Sequence, residues 1–347
     1  MSSIITGLIV GILFGFVMQR GRFCMNSAFR DTVLLKDYTL LKSVGAAILV
    51  SMAGFAIMAG AGIIQINPKP LFWGANLIGS FIFGVGMVVA GGCASGITYR
   101  VGEGMVGALV AVLGLATAGT LTAMGFLKPV KDALQSNTTI TTSDGSVPTL
   151  ANLLGVPYWI LALIIAVVLA VIWFVMIRKN GDVDLEGDDS PASLVERIFK
   201  KSWNWLVTGI AIGIVSIISF PISAAAGRNY PLGITAGWIQ WVKMLMPSVE
   251  TTVNWIALLV IGIIVGAFIG ALIAGEFKIR VPGWGMLGQA FLGGLIMGFG
   301  AVTSGGCNVT HVLSGIPQLA ISSILAAIAI ILGAWLTAWL MFVRPNQ

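Results

Sequence analysis

Charge is what this sequence has least of. Only 9% of its 347 residues are Asp, Glu, Lys or Arg, while 57% are hydrophobic; a soluble domain carries about 25% charged residues. So few charges cannot cover a globule in water, and the mean hydropathy of +0.99 makes lipid the solvent. Histidine is nearly missing too. His311 is the only one, which excludes a histidine-based metal cluster, and one Cys with one His does not complete a zinc site. Cysteine is limited to Cys24, Cys93 and Cys307, an odd and sparse set that makes no disulfide framework. No G-x-x-x-x-G-K-[ST] phosphate loop, Ser-His-Asp set or paired carboxylates are visible, so no ATP hydrolysis and no catalytic residues are expected, nor any cofactor. The basic, apolar and small-residue pattern of a cleaved signal peptide is also lacking. The net charge of +6 is scattered among short loops and gathers in no basic patch, which argues against nucleic-acid binding.

What is present is a series of long apolar, glycine-rich runs. At roughly 20 apolar residues per crossing, they predict spans at 4–19, 43–65, 71–90, 105–126, 157–177, 205–226, 252–275, 286–302 and 318–343. The expected fold class is an all-α polytopic membrane protein with about nine transmembrane helices plus short re-entrant helices, in two inverted pseudo-symmetric halves. The halves are expected at 1–177 and 204–347, joined by a charged, solvated loop over 178–203. Arg178, Lys179, Arg197, Lys200 and Lys201 put that loop in the cytoplasm by the positive-inside rule. Alternation then puts Arg30, Lys36, Lys42, Arg100, Lys278, Arg280 and Arg344 inside, and only Lys69, Lys128, Lys131, Arg228 and Lys243 outside. The N-terminus is accordingly expected in the periplasm and the C-terminus in the cytoplasm, with the lipid bilayer around the chain.

The chain also repeats itself. FGVGMVVAGGCASG from Phe83 and MGFGAVTSGGCNVT from Met297 share G-x-G-x-x-x-x-G-G-C at a constant offset of 214. In the predicted topology the two copies run in opposite directions. Inverted repeats of this kind build many transporters, with the binding site at the repeat interface near the bilayer midplane. Two glycine ladders, Gly7-Gly11-Gly15 and Gly262-Gly266-Gly270, read as helix-packing stripes.

Each Gly-Gly-Cys carries a chemical reading. Paired glycines weaken an apolar helix by about 1 kcal/mol each relative to alanine, and broken backbone inside a membrane is tolerated only where protein or a cavity covers it. Gly91-Gly92-Cys93 and Gly305-Gly306-Cys307 therefore predict a polar cavity. The residues that follow, Ser95 and Asn308 among them, can open a half-helix whose N-terminal N–H groups favour an anion. A thiol is a soft, polarizable, weak donor, suited to sulfur or selenium more than to a hard oxyanion. Cys24 follows a further break at Gly21. The candidate substrate-binding residues are thus Cys24, Cys93, Cys307, Gly91, Gly92, Gly305, Gly306, Ser95 and Asn308. Of the neighbours, Arg20 is expected to snorkel to the interface, and Arg22 either to snorkel or to attract an anion. His311 is expected to serve a structural role at a helix end. Glu103 is expected at the inner boundary, paired with Arg100, or binding a proton if it lies deeper.

GGCASGITYRVGEG after a G-x-G helix, GGCN in the second half and RGRFCMNSAFRD near the N-terminus resemble the YeeE/YedE family of membrane proteins, in particular its thiosulfate-uptake branch. The resemblance covers essentially the whole chain. It implies an inner-membrane transporter with nine long helices and several short re-entrant ones, passing thiosulfate along a central path. It further implies that Cys24, Cys93 and Cys307 are the pathway thiols and that a cytoplasmic TusA-like sulfur-carrier protein, here a separate chain, is the partner. The residues leave two alternatives open: a membrane sulfurtransferase forming a cysteine persulfide, or transport of another sulfur or selenium species. A receptor or assembly scaffold is the third reading, but it gives the Gly-Gly-Cys repeats no purpose.

Overall fold

The computed structural model describes residues 2–142, 145–180, 194–246 and 252–344. Half of the predicted linker, 181–193, lies outside the described residues. Among those described there are nine helical spans long and apolar enough to cross a membrane. The elements are α1 (Ser2–Arg20), α2 (Met25–Leu34), α3 (Thr39–Gly60), β1 (Leu71–Phe72), α4 (Trp73–Val89), α5 (Ala94–Gly102), α6 (Val106–Met124), α7 (Lys128–Asn137), β2 (Thr139–Ile140), α8 (Leu150–Leu154), α9 (Tyr158–Asn180), α10 (Leu194–Phe199), α11 (Trp205–Ala225), α12 (Thr235–Met244), α13 (Trp255–Ile273), α14 (Trp284–Ser304) and α15 (Ile321–Ala338). A wide π-type helical turn fills Val309–Gly315. The only sheet among them is one antiparallel contact, Leu71 opposite Ile140.

Two spans are broken where glycine was expected to break them. The first runs from Ile4 to Leu34 with an interruption after Arg20, and the third from Trp73 to Gly102 with one after Val89. The second span starts at Thr39, earlier than the apolar run suggested, because Thr39-Leu40-Leu41-Lys42 continue the helix. Local chemistry sets many of the ends. Asn204 and Asn254 cap α11 and α13 by accepting from the N–H groups of Val207 (2.8 Å) and Ala257 (3.0 Å). Gly305 closes α14 in the left-handed conformation at φ 84°.

The packing is backbone on backbone. A Cβ on Gly7, Gly11 or Gly15 would strike the carbonyls of Trp255, Leu259 or Ile263, so α1 lies directly on α13, running parallel to it. The glycine ladders are therefore packing stripes, as their spacing predicts. A Cβ on Gly79 would meet Ser304 and Gly300, one on Gly86 would meet Met297, and one on Gly293 would meet Ala90. Residue numbers rise along α4 as they fall along α14, so the helices that carry the two Gly-Gly-Cys motifs are antiparallel. The end of α4 lies beside the middle of α14, and the reverse holds at the other end. Asn76 fixes this crossing by donating from Nδ2 to the Ser304 carbonyl at 2.7 Å.

Candidate functional site

Four short segments meet inside this frame: α2, α5, α12 and the turn at 309–315. Cys24 and Cys93 are the residues immediately before α2 and α5. Both are buried, and their Sγ atoms are 3.7 Å apart. The Cys93 thiol also caps its own helix, accepting from the Gly96 N–H at 3.3 Å, and lies 3.5 Å from Ser95 Oγ. On the other side of the centre, Cys307 is buried with its Sγ 3.6 Å from Thr310 Oγ1. Asn308, also buried, donates from Nδ2 to Met25 Sδ at 3.3 Å, which brings the residue after Cys307 against the residue after Cys24. Trp238 on α12 donates from Nε1 to Thr98 Oγ1 on α5 at 2.9 Å, and Tyr230 donates its hydroxyl to the Thr310 carbonyl at 2.8 Å. All three cysteines are free thiols.

Cavities open toward opposite ends of the α4–α14 crossing. One, of 360 Å³, is lined by Lys69, Arg228 and Lys243 and reaches Gly305, Gly306 and Cys307. Two of its cations are held on aromatic faces. Lys69 Nζ sits 4.5 Å from the Tyr230 ring centre, and the Arg228 guanidinium is 5.7 Å from that of Trp255. Burial, with Arg228 nearby, lowers the Lys69 ammonium to about 8. The opposite cavity, of 460 Å³, is lined by Arg22, Tyr99, Arg100, Glu103, Glu276, Lys278 and Arg280. Arg100 Nη1 there donates to the Gly91 carbonyl at 2.8 Å, which ties this cavity to the first Gly-Gly-Cys.

Arg20 does not snorkel. It is 1% exposed, and its Nη2 contacts Glu276 Oε2 at 2.7 Å. Its Nη1 donates to the Lys200 carbonyl at 2.9 Å and its Nε to Gln19 Oε1 at 2.6 Å. A charge with this many partners gains nothing by reaching for water. Arg22 is the exposed one, and it meets Glu276 Oε1 at 3.0 Å. Glu103 makes no ion pair with Arg100 among the described residues; its hydrogen bond comes from Gln19 Nε2 at 3.3 Å. His311 lies inside the π-type turn, buried, with Nδ1 3.2 Å from Ser323 Oγ and Nε2 without a partner among the described residues. It holds a turn against α15 instead of closing a helix end.

Of the residues singled out from sequence, Cys24, Cys93 and Ser95 form one cluster, and Asn308 touches its edge through Met25. Gly305, Gly306 and Cys307 line the 360 Å³ cavity, and Cys307 makes no thiol contact. Gly91, at φ 73°, serves as a left-handed turn, and Gly92 is buried against Ile97 and Arg100. Sequence reading missed Asn26, Lys69, Arg228 and Gly96. Asn26 is buried with neither amide atom hydrogen-bonded among the described residues, and a polar residue beside Cys24 in an apolar setting was the available signal. No group of three His, Cys, Asp or Glu that could hold a metal is found among the described residues.

The family model described as "Sulphur transport" matches residues 20–336. The chain belongs to the sulphur-transport family. It is 41% identical to the thiosulfate transporter TsuA of Spirochaeta thermophila, over 98% of this chain and 99% of that one. It is 32% identical to the thiosulfate transporter TsuA of Escherichia coli, over 100% of this chain and 97% of that one. A 100-residue stretch is 35% identical to the probable transporter YedE of Escherichia coli, covering 28% of this chain and 24% of that one. The matches bear out the resemblance to the YeeE/YedE family. This member of the sulphur-transport family is a multi-pass membrane transporter, not an enzyme.

Proposed function

We propose that this chain is an inner-membrane uptake transporter for thiosulfate, passed along a central path by the thiols of Cys24, Cys93 and Cys307 and by the N-termini of the half-helices around them. The observation that carries the reading is the contact of Cys24 with Cys93, 3.7 Å apart at the starts of two half-helices, between cation-lined cavities at opposite ends. Two full-length relatives named for thiosulfate support the cargo.

The chemistry runs from the outside inward. Lys69, Arg228 and Lys243 draw a dianion into the outer cavity. Gly305 and Gly306 keep side chains away from its floor, so the anion meets backbone and the Cys307 thiol. The S–H of Cys307 then donates to it, and the thiols of Cys24 and Cys93 follow, with Ser95 and Asn308 beside them. The first N–H groups of α2 and α5 add partial positive charge without adding a fixed cation that would trap the anion. A buried polar group left unpaired costs about 1–3 kcal/mol; for Asn26 an anion in transit offsets that cost. Arg100 and Arg22 receive the anion at the inner cavity. That basic face is where a cytoplasmic TusA-like sulfur carrier would collect the cargo. The orientation rests on the excess of Lys and Arg in the loops assigned to the inside. The two oppositely directed Gly-Gly-Cys helices support a pathway at the interface of inverted halves.

The test is uptake of ³⁵S-thiosulfate into proteoliposomes holding the purified chain alone. Saturable uptake that sulfate competes with poorly is the expected result. Binding of a partner without any flux would overturn the transporter reading, and a stable added sulfur on one thiol after turnover would replace hydrogen-bonded passage by covalent transfer.

A further inference from the structure

Gly96 is a glycine without a backbone reason. It is the third residue of α5, its φ lies outside the left-handed region, and glycine there weakens a helix relative to alanine. The reason is the space its missing side chain leaves. A Cβ at Gly96 would stand 2.6 Å from Cys24 Sγ and 3.1 Å from Cys93 Sγ. The Cys24 sulfur intrudes on the volume where any other residue would put its first carbon, and the Cys93 sulfur crowds it.

We propose that Gly96 is the positioning residue that makes Cys24 and Cys93 a single dithiol, and that this dithiol can close reversibly into a disulfide that blocks the path. The inference rests on the thiosulfate reading above and deepens it. The two thiols come from segments 69 residues apart in sequence, and Gly96 is the common floor under them. The cheapest escape from an added methyl is rotation of the Cys24 side chain, since the Cys24 Cβ stays 3.6 Å away. An alanine at this position therefore leaves the fold in place and turns one thiol away from the other. A single thiol donates one weak hydrogen bond to an anion; a pair in contact presents two donors to the same anion at once. The same contact makes the pair oxidisable. A polythionate such as tetrathionate reacts with the two thiols in two displacements. Its central S–S bond breaks, the Cys24–Cys93 S–S bond forms, the thiols give up two electrons and two protons, and two thiosulfate ions leave.

The experiment treats the full chain in proteoliposomes with tetrathionate, reading disulfide by mass and thiosulfate exchange by isotope counterflow. The wild-type chain is expected to lose two hydrogen masses, gain a Cys24–Cys93 cross-linked peptide and lose exchange, with both changes reversed by dithiothreitol. Gly96→Ala is expected to slow cross-linking at least about tenfold and to raise KM for thiosulfate more than it lowers kcat. Alkylation of Cys307 at the wild-type rate, with an unchanged size-exclusion profile, checks that the variant is folded. In a Cys24→Ala background, Gly96→Ala is expected to add little further loss of exchange, because the Cys24 sulfur that the new methyl would strike is gone. Cross-linking of Gly96→Ala at the wild-type rate, or no cross-link in the wild-type chain, overturns the proposal. Cross-linking as expected in a chain that shows no thiosulfate exchange at all upholds the dithiol and sinks the cargo reading instead.

Discussion

Asn308 Nδ2 and Met25 Sδ are 3.3 Å apart, and through this contact the residue after Cys307 rests on the residue after Cys24. The pair comes from opposite halves of the chain, separated by 283 positions. It directly joins the neighbourhood of Cys307 to that of Cys24 and Cys93.

Met25→Leu keeps the volume and removes the acceptor. It is expected to free the Asn308 amide and to lower thiosulfate uptake severalfold without loss of folded protein, a volume-conserving core change costing under about 1.5 kcal/mol. Asn308→Ala removes a candidate substrate donor as well as the contact and is expected to lower uptake further. Initial uptake rates compared with yield of monodisperse protein check both.

On the proposed path, Cys93→Ala and Cys307→Ala each delete one donor to the anion. A hydrogen bond to a charged group is worth about 1.5–3 kcal/mol, so uptake at low thiosulfate is expected to fall about 10- to 100-fold for each. Serine at the same positions keeps a donor and is expected to retain part of the rate. Growth on thiosulfate as sole sulfur source, scored against membrane expression, checks the order wild type, serine, alanine.

Arg20 and Glu276 join the end of α1 to the segment after α13. Burial works to raise the Glu276 carboxyl, but the Arg20 charge and hydrogen bonds from Arg22 and Gln19 outweigh it and hold the group below its ordinary value of 4.5. A depressed carboxylate contributes stability that is present above the unfolded value and lost as pH falls through the folded one. Thermal stability is therefore expected to drop below about pH 4.5. Glu276→Gln is expected to destabilise the neutral protein by about 2 kcal/mol, less than a fully buried pair because the carboxylate is partly solvated, and to flatten the acid limb. Melting curves from pH 3 to 8 read both effects.

Glu103 shifts the other way. Burial raises its carboxyl above the ordinary 4.5, and the nearby Glu276 charge adds to this, against the Gln19 hydrogen bond and the charges of Arg100 and Arg280. It therefore holds its proton to higher pH than a free carboxyl, and any stability tied to the neutral form is lost as pH rises through the raised value. In its ionised form it places a negative charge in the 460 Å³ cavity, which on the proposed path opposes a departing anion. On the proposed path, uptake is expected to increase as pH on that side falls through the raised Glu103 value, and Glu103→Gln is expected to remove that dependence. Uptake into vesicles of varied internal pH at fixed external pH decides it.

Sequence made some parts of this protein legible and hid others for a physical reason. Gly91-Gly92 and Gly305-Gly306 act within a few residues of themselves, so the breaks before Cys93 and Cys307 were readable, as were the nine apolar spans. Arg20 was misread because its partner, Glu276, is 256 positions away, and a lone arginine at a helix end looks the same whether it reaches water or a carboxylate. Lys69 and Arg228 come from two separate loops and Lys243 from the last turn of α12, and they share no motif. Gly96 was passed over because it resembles any other membrane-helix glycine until the Cys24 sulfur is placed against it.

The glycine crossings of α1 with α13 and α4 with α14 have a mechanical consequence. Where carbonyls of one helix occupy the volume a Cβ would take on the other, no layer of side chains remains to act as a lubricant. The helices are keyed together and cannot slide or rock by a residue without driving larger side chains into gaps that admit only hydrogen. A frame locked in this way leaves movement to the short pieces hung inside it, α2, α5, α12 and the turn at 309–315, whose strokes are measured in side-chain rotations instead of turns of helix.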